Sequence, residues 1–193
     1  MSGAVNIGVF GKIPDRGDFI SIGLPRSLTD SLEAWVKEGF THANTQIGWE
    51  DEYFSSPIWQ FSSAPKFWDA RAWTGIIMPS VDSFGRKFPL IMAAPISVAS
   101  RDWISLIIES AVQVLSVETF NFDAWRHSLL SLSANPVHQG MEYLTGPKRG
   151  GVFRVMSQYH DQIHLIEEDK LHPKIYCNMI LCDLQSDEGG ALL

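Results

Sequence analysis

The segment that decides the fold spans residues 73–94 and reads WTGIIMPSVDSFGRKFPLIMAA. Two apolar runs, 73–78 and 88–94, enclose nine residues, 79–87, that are rich in proline, serine, aspartate and glycine. Short apolar runs separated by turn residues are typical of paired strands. The pattern therefore predicts an antiparallel hairpin whose strands are joined by a long, shaped loop.

Further segments with strand or helix character lie on both sides of this hairpin. The other predicted strands are residues 5–10, 58–62, 152–156, 163–166 and 175–181. The predicted helices run from an N-cap at Ser27 to about Ala43, from a cap at Ser100, and from Asn121 or Asp123 to a point before Pro136, with a polar loop over 44–56. This order predicts an α+β fold, a mainly antiparallel sheet packed by helices.

Composition limits the classes of function. The chain has 193 residues, of which 45% are hydrophobic, and we expect one domain over residues 1–193. A net charge of −7 argues against nucleic-acid binding, which requires a concentrated basic face. Seven acidic and two basic residues fall within 161–193, so the acidic excess lies mainly in this C-terminal segment. With no apolar run of membrane-spanning length and no signal-peptide pattern at the start, a soluble cytoplasmic protein is expected.

Motifs for phosphate or metal binding are incomplete. Residues 8–13, GVFGKI, lack the first glycine of a phosphate-binding loop and carry Ile13 where a magnesium-binding hydroxyl is needed. Residues 160–164, HDQIH, have the histidine spacing of a zinc protease, but their flanks alternate like strands and predict a hairpin turn. Cys177 and Cys182 would lie on opposite faces of a strand, which favours buried thiols over a disulfide or a shared metal. We therefore expect no cofactor and no metal.

The loop over residues 79–87 contains a serine and an aspartate that could be drawn into a catalytic triad with a histidine. No Gly-x-Ser-x-Gly turn surrounds Ser80. We therefore favour a hydrolase that uses Ser80 less than a binding protein or a structural protein. The alternative interpretation is structural: Asp82 forms an Asx turn, Gly85 has positive φ, and Arg86 pairs with a carboxylate.

The seven tryptophans admit two interpretations. Trp35, Trp103 and Trp125 fall on the apolar stripes of predicted helices and are expected in the core. Some of the others could form an exposed binding surface, because tryptophan is enriched at interaction hot spots. Those residues are Trp49, Trp59, Trp68 and Trp73, and core packing is favoured for each of them individually.

Several longer motifs occur in a consistent order over about residues 8–95. They are Gly8-x-x-Gly11-Lys12-Ile13-Pro14-x-x-Gly17-Asp18-Phe19, Leu24-Pro25, Trp35, Pro57-x-Trp59-x-Phe61, and Trp73-x-Gly75-x-x-Met78-Pro79-Ser80-Val81-Asp82-x-x-Gly85-Arg86-x-Phe88-Pro89-Leu90. This composite pattern resembles the TagF (ImpM) family of type VI secretion accessory proteins. The C-terminal half of the chain matches the family only loosely.

The resemblance implies a regulator and not an enzyme. Proteins of this family act after translation as negative regulators of type VI secretion. They do so in connection with a forkhead-associated scaffold protein and the threonine kinase/phosphatase pathway linked to it. The fold that the resemblance implies is an α/β/α sandwich related to longin or SNARE-like domains.

A partner-binding site follows as a hypothesis from the two polar loops. If the Lys12–Asp18 and Ser80–Lys87 loops lie at the same end of the sheet, their charged side chains form one patch, with Asp18 or Asp82 paired to Arg86. The predicted partner-binding residues are Lys12, Arg16, Asp18, Trp59, Ser80, Asp82, Arg86 and Lys87. Two alternatives stay open: the charge pairs only fix the shape of the loops, or the chain is a structural component of the secretion apparatus, conceivably as a homodimer.

Overall fold

A seven-stranded antiparallel sheet organises the part of the chain that the structure describes. The structure is a computed structural model that describes residues 7–115, 120–133, 145–155, 163–166 and 172–181. The strands occur in the spatial order β2-β1-β5-β4-β3-β6-β7, and every neighbouring pair is antiparallel. Their bounds are β1 (Gly8–Gly11), β2 (Ile20–Ile22), β3 (Trp59–Ser63), β4 (Trp73–Met78), β5 (Leu90–Pro95), β6 (Gly151–Val155) and β7 (Ile163–Ile166).

The predicted hairpin is the pair β4 and β5, in the middle of this sheet. Its register runs from Met78 opposite Leu90 to Trp73 opposite Pro95. The second strand begins at Leu90, two residues later than predicted. The antiparallel sheet and the α+β class are therefore confirmed.

Helices cover both faces of the sheet. They are α1 (Arg26–Ala43), α2 (Trp49–Ser55), α3 (Arg101–Gln113), α4 (Phe122–Ser133) and α5 (Pro173–Leu181). One core joins α1, α2 and α5 to side chains such as Ile77 and Ile91, and the other joins α3 and α4 to side chains such as Ile76 and Met92. Since successive residues of a strand point to opposite faces, both central strands are buried on two sides, which explains their unbroken apolar runs.

Helix caps predicted from the sequence are partly confirmed. The Ser100 hydroxyl accepts a hydrogen bond from the Trp103 amide at 3.2 Å, and the Asn121 side chain accepts one from the Ala124 amide at 2.9 Å. The prediction for Ser27 is wrong, because α1 begins at Arg26 after Pro25, which cannot supply a side-chain cap.

The prediction of a strand over residues 175–181 is also wrong. This segment is α5, which packs against α1, and the Tyr176 ring lies 4.9 Å from the Trp35 ring. A seven-residue apolar run with one polar position, Asn178, is too short for its periodicity to distinguish a helix from a strand. The strand-based argument about Cys177 therefore fails, although Cys177 is buried as expected.

Two short elements were missed within predicted loops. The polar stretch over 44–56 contains α2, and the strand β2 follows the first loop. The acidic residues 50–52 make the segment of α2 look like a polar loop, although the next residue, Tyr53, is buried.

Some sequence predictions lie outside the described residues. They concern residues 160–162 of the histidine motif, Cys182, Met156, the end of the third predicted helix near Pro136 and most of the acidic segment 161–193. The single domain over residues 1–193 stays a prediction.

The closest backbone approach in the central hairpin gives a test of the register. A Cβ at Gly75 would lie 2.0 Å from the Met92 carbonyl oxygen in β5. We expect Gly75→Ala to lower the free energy of unfolding by about 3 kcal/mol, because the two strands must move apart. Gly48→Ala is the control: its φ of 81° is strained but no atom lies within 4 Å, so a loss of about 1 kcal/mol is expected. Equal losses in urea unfolding would contradict the register.

Candidate functional site

The Lys12–Asp18 and Ser80–Lys87 loops meet at one end of the sheet, as predicted. The first loop leaves β1 and the second enters β5, and these strands are antiparallel neighbours with Gly11 opposite Leu90. The Ser83 amide donates a hydrogen bond to the Arg16 carbonyl oxygen at 3.0 Å. We call these two loops together the loop cluster.

The carboxylate of Asp82 is the centre of the loop cluster. Its Oδ1 accepts hydrogen bonds from the backbone amides of Phe84 and Arg86, both at 2.9 Å. Its Oδ2 accepts one from Lys12 Nζ at 2.8 Å and one from Arg86 Nε at 2.6 Å. The side chain is fully buried. The predicted Asx turn is confirmed, and so is the positive φ of Gly85, which is 76°.

These contacts determine the charge of Asp82. Withdrawal from water on its own raises the pKa of the carboxyl group, but the hydrogen bonds from Lys12, Arg86 and Phe84 lower it by more. The resulting pKa lies well below the usual value for aspartate. Asp82 is therefore ionised at neutral pH and shares a buried ion pair with Lys12.

Arg86 is the exposed arm of this network. Besides its bond to Asp82, its Nη2 donates to the Gly17 carbonyl oxygen, so the guanidinium joins both loops. The side chain is 59% exposed. A guanidinium has five N–H donors, so three of them have no acceptor among the described residues. Of the two predicted partners of Arg86, Asp82 is the one observed, and Asp18 lies exposed on the surface.

Tyr53 of α2 contacts the backbone of the Ser80–Lys87 loop. This contact was not predicted from the sequence. Its hydroxyl donates to the Ser80 carbonyl oxygen at 2.7 Å and accepts from the Ser80 amide at 2.9 Å. Burial raises the pKa of Tyr53 well above its usual range, although the Ser80 backbone lowers it in part, so the hydroxyl stays protonated. The acidic segment of α2 contains three aromatic residues, Trp49, Tyr53 and Phe54, and the sequence does not show which of them is buried or what it contacts.

The two remaining predicted cations are engaged within the protein. Lys87 Nζ lies 3.2 Å from Glu50 Oε1 and 5.2 Å from the centre of the Phe54 ring. The Arg16 guanidinium stacks on Phe122 at the start of α4, 3.8 Å from the ring centre. Both contacts fasten the loop cluster to neighbouring helices.

The structure separates the eight predicted site residues into three groups. Lys12, Ser80 and Asp82 are in the loop cluster but buried. Trp59 is only 2% exposed and lies in the core on β3, which corrects its place in a surface patch. The others are exposed or partly exposed in the loop cluster: Arg16, Asp18, Arg86 and Lys87.

The tryptophans pack mainly in the core and do not form an exposed binding surface. Trp35, Trp59, Trp68, Trp73 and Trp125 are each at most 5% exposed. The other two, Trp49 and Trp103, are half-buried. The interpretation favoured for each residue individually, core packing, is thus confirmed for these five.

The described residues were compared with the requirements of a metal site and of a serine nucleophile. Among them, no group of three or more histidine, cysteine, aspartate or glutamate residues is arranged to bind a metal ion. The Ser80 hydroxyl is buried and has no hydrogen-bond partner among these residues, whereas a nucleophilic serine requires a base within hydrogen-bond distance. Nor does any described helix combine the length and hydropathy needed to cross a bilayer.

These features define an α+β domain with a rigid pair of loops at one end of its sheet. The sequence model of the TagF N-terminal domain, type VI secretion system-associated, matches residues 8–138. The chain therefore belongs to the TagF family, an accessory family of type VI secretion.

A solved structure has the same fold. The crystal structure of PA0076 from Pseudomonas aeruginosa PAO1 superimposes with a TM-score of 0.75 over 97% of each chain, at 22% sequence identity. At this identity the similarity concerns the fold alone. A comparison with curated protein sequences gives no match. The relation to longin or SNARE-like domains stays a prediction.

The buried ion pair gives a prediction for stability. Lys12→Met preserves much of the side-chain volume but leaves the Asp82 carboxylate without its buried cation. We expect the free energy of unfolding to fall by about 3 kcal/mol in urea titrations. Lys37→Met is the matched control, since its ion pair with Glu33 is exposed and its loss should cost less than about 0.5 kcal/mol. Similar effects of the two variants would contradict a stabilising role for the buried pair.

The lowered pKa of Asp82 gives a second prediction, on the pH dependence of stability. A carboxyl group whose pKa is lower in the folded state stabilises the protein above its unfolded pKa, about 3.9, and this contribution is lost as the pH falls through the folded pKa. The stability difference between the wild type and Asp82→Asn should therefore shrink from about pH 5 downward.

Unfolding measured across this pH range checks the prediction. The control is Asp30→Asn, which changes an exposed aspartate of α1 and should alter stability at neutral pH by less than about 0.5 kcal/mol. A difference between wild type and Asp82→Asn that stays constant with pH would show that Asp82 does not have a lowered pKa.

Proposed function

We propose that this protein is a non-catalytic negative regulator of type VI secretion that acts in the cytoplasm, after translation, by binding a forkhead-associated scaffold protein through the loop cluster. The observation that carries the proposal is Arg86, an exposed guanidinium that is held in place by a buried carboxylate. Membership of the TagF family supports the link to type VI secretion. The resemblance of the sequence motifs to that family suggests the regulatory role and the partner.

The construction of the loop cluster suits recognition. Loops that carry recognition residues are most effective on a rigid base, because less conformational freedom is lost when the partner binds. Here the base consists of the buried Lys12–Asp82 pair and the two hydrogen bonds between Tyr53 and Ser80. Arg86 projects from this base into solvent, and arginine is among the residues that most often dominate binding energy at interfaces.

A hydrolase that uses Ser80 receives less support. A serine nucleophile has to reach its substrate, whereas Ser80 is 3% exposed. Its backbone amide and carbonyl are bound to Tyr53, which holds the residue in a structural position. These contacts are the basis for proposing a binding function without catalysis.

Arg86→Ala tests the proposal against a matched arginine. Affinity for the purified scaffold protein should fall at least about tenfold, whereas the free energy of unfolding should fall by no more than about 1 kcal/mol, because the Arg86–Asp82 bond is largely exposed on the arginine side. Arg26→Ala, which also removes an arginine paired to an aspartate four residues away, should leave affinity unchanged. Titration calorimetry and thermal unfolding provide the two measurements.

The same variants can be examined in cells that carry the secretion system. Deletion of the gene and Arg86→Ala should both raise the secretion of effector proteins, whereas Arg26→Ala should behave like the wild type. Intact scaffold binding by a strongly destabilised Arg86→Ala protein would contradict recognition by this residue. Lower secretion after deletion, with an envelope component in place of the scaffold in pull-downs, would favour a structural component of the apparatus.

A further inference from the structure

An exposed aromatic surface lies directly beside Arg86. Phe84 is 77% exposed at the tip of its loop, and its ring lies so close to Gly17 that a Cβ there would be 2.5 Å from it. Phe19 is 41% exposed and stacks on Phe10 with ring centres 5.7 Å apart. Arg86 is bonded to the Gly17 carbonyl oxygen, and its guanidinium lies 5.3 Å from the centre of the Phe84 ring, while Phe19 follows Gly17 by two residues. We call Gly17, Phe19, Phe84 and Arg86 the arginine–phenylalanine surface.

Arg86 is the cationic group of this surface: it shares the Asp82 carboxylate with Lys12, and its guanidinium lies 5.3 Å from the centre of the Phe84 ring. Of the other cations in the loop cluster, Lys12 is buried against Asp82, Lys87 pairs with Glu50, and the exposed Arg16 is held against Phe122 of α4. The exposed acidic residues Asp15 and Asp18 lie in the first loop. The surface is therefore not broadly basic, and any attraction for an anion depends on the fixed guanidinium of Arg86.

We infer that the arginine–phenylalanine surface binds a protein segment that carries one carboxylate side chain next to an apolar side chain. The inference rests on the proposed function for the location of the site, and it names the chemistry that the site recognises. The planar guanidinium can donate two parallel hydrogen bonds to a carboxylate. The exposed ring of Phe84 provides the adjoining apolar contact, which removes an aromatic side chain from water.

A carboxylate fits this surface better than a phosphate. A phosphorylated side chain carries nearly two negative charges and is usually bound by several cationic groups. Here the guanidinium beside Phe84 is that of Arg86, which already pairs with Asp82, and the exposed Asp15 and Asp18 lie in the same loop cluster. A carboxylate carries one negative charge, which one arginine can balance. The second charge of a phosphate would have no cation to balance it and would be repelled by the aspartates.

Selection of peptides tests the inference without assuming the identity of the partner. A display library of random short peptides is selected against the full-length protein and, separately, against Arg86→Ala and Arg26→Ala. We expect the wild type and Arg26→Ala to enrich peptides with an aspartate or glutamate next to an apolar residue, and Arg86→Ala to lose this enrichment. Failure of the wild type to enrich such peptides, or the same enrichment by Arg86→Ala, would overturn the inference.

Two further variants test the separate contributions of Arg86 and Phe84 to binding. The first asks whether Arg86 acts through its guanidinium or only through its positive charge, and the second whether the Phe84 ring selects the apolar neighbour. Arg86→Lys keeps the positive charge but not the fork, so affinity for an enriched peptide should fall about tenfold. Phe84→Ala should lose the preference for the apolar neighbour and retain the requirement for the acid. Unchanged affinity in Arg86→Lys would overturn recognition by the fork, and thermal unfolding of each variant checks that it is folded.

Phosphorylated versions of the enriched peptides complete the test. Replacement of the acidic residue by phosphoserine or phosphothreonine should not strengthen binding, and a gain of about tenfold or more would overturn the preference for a carboxylate. Failure of the scaffold protein to bind, together with enrichment of acidic-apolar peptides, would refute the proposed partner and leave this inference standing. Scaffold binding that depends on Arg86, together with no enrichment of acidic peptides, would support the proposed partner and refute this inference.

Discussion

The candidate site depends on the hydrogen bonds that the ionised carboxylate of Asp82 accepts. The carboxylate lies in the protein interior, where an unpaired charge would be very costly, and its four hydrogen bonds come from both loops. All four bonds stabilise the same buried charge, so their contributions to stability are not independent. The shape of the loops between β4 and β5 and after β1 is therefore a consequence of where this single negative charge is placed.

The sheet determines which groups can reach that charge. Antiparallel pairing of β1 with β5 brings the end of the first strand beside the start of the fifth, although Lys12 and Asp82 are 70 residues apart in the chain. Burial of the central strands between two helical layers then prevents the strand ends from moving independently. From the other side α2 supplies Tyr53, whose hydroxyl satisfies both backbone groups of Ser80. The loops are thus held by the fold as well as by their own hydrogen bonds.

Sequence reasoning succeeded where the determining physics is local. The hairpin over residues 73–94, the Asx turn at Asp82 and the positive φ of Gly85 all depend on near neighbours, and each was predicted. It failed where the local pattern does not decide: α5 is too short for its apolar pattern to distinguish a helix from a strand, and Tyr53 has a partner 27 residues away. Trp59 was wrongly assigned to a surface patch for the same reason. Tryptophan is common at interfaces, but the sequence does not show which face of β3 packs against the core.

The four cations of the loop cluster make different contacts. Lys12 is buried against Asp82, Lys87 pairs with Glu50, and Arg16 lies over the Phe122 ring, so each of them links the loop cluster to another part of the fold. Arg86 differs because two of its donors fix the guanidinium plane while 59% of the side chain stays exposed. An arginine fixed in this way loses less side-chain entropy when it is bound than a freely rotating one, which would lose up to about 2 kcal/mol. The buried network is thus the physical reason why a single exposed side chain can serve as a specific contact.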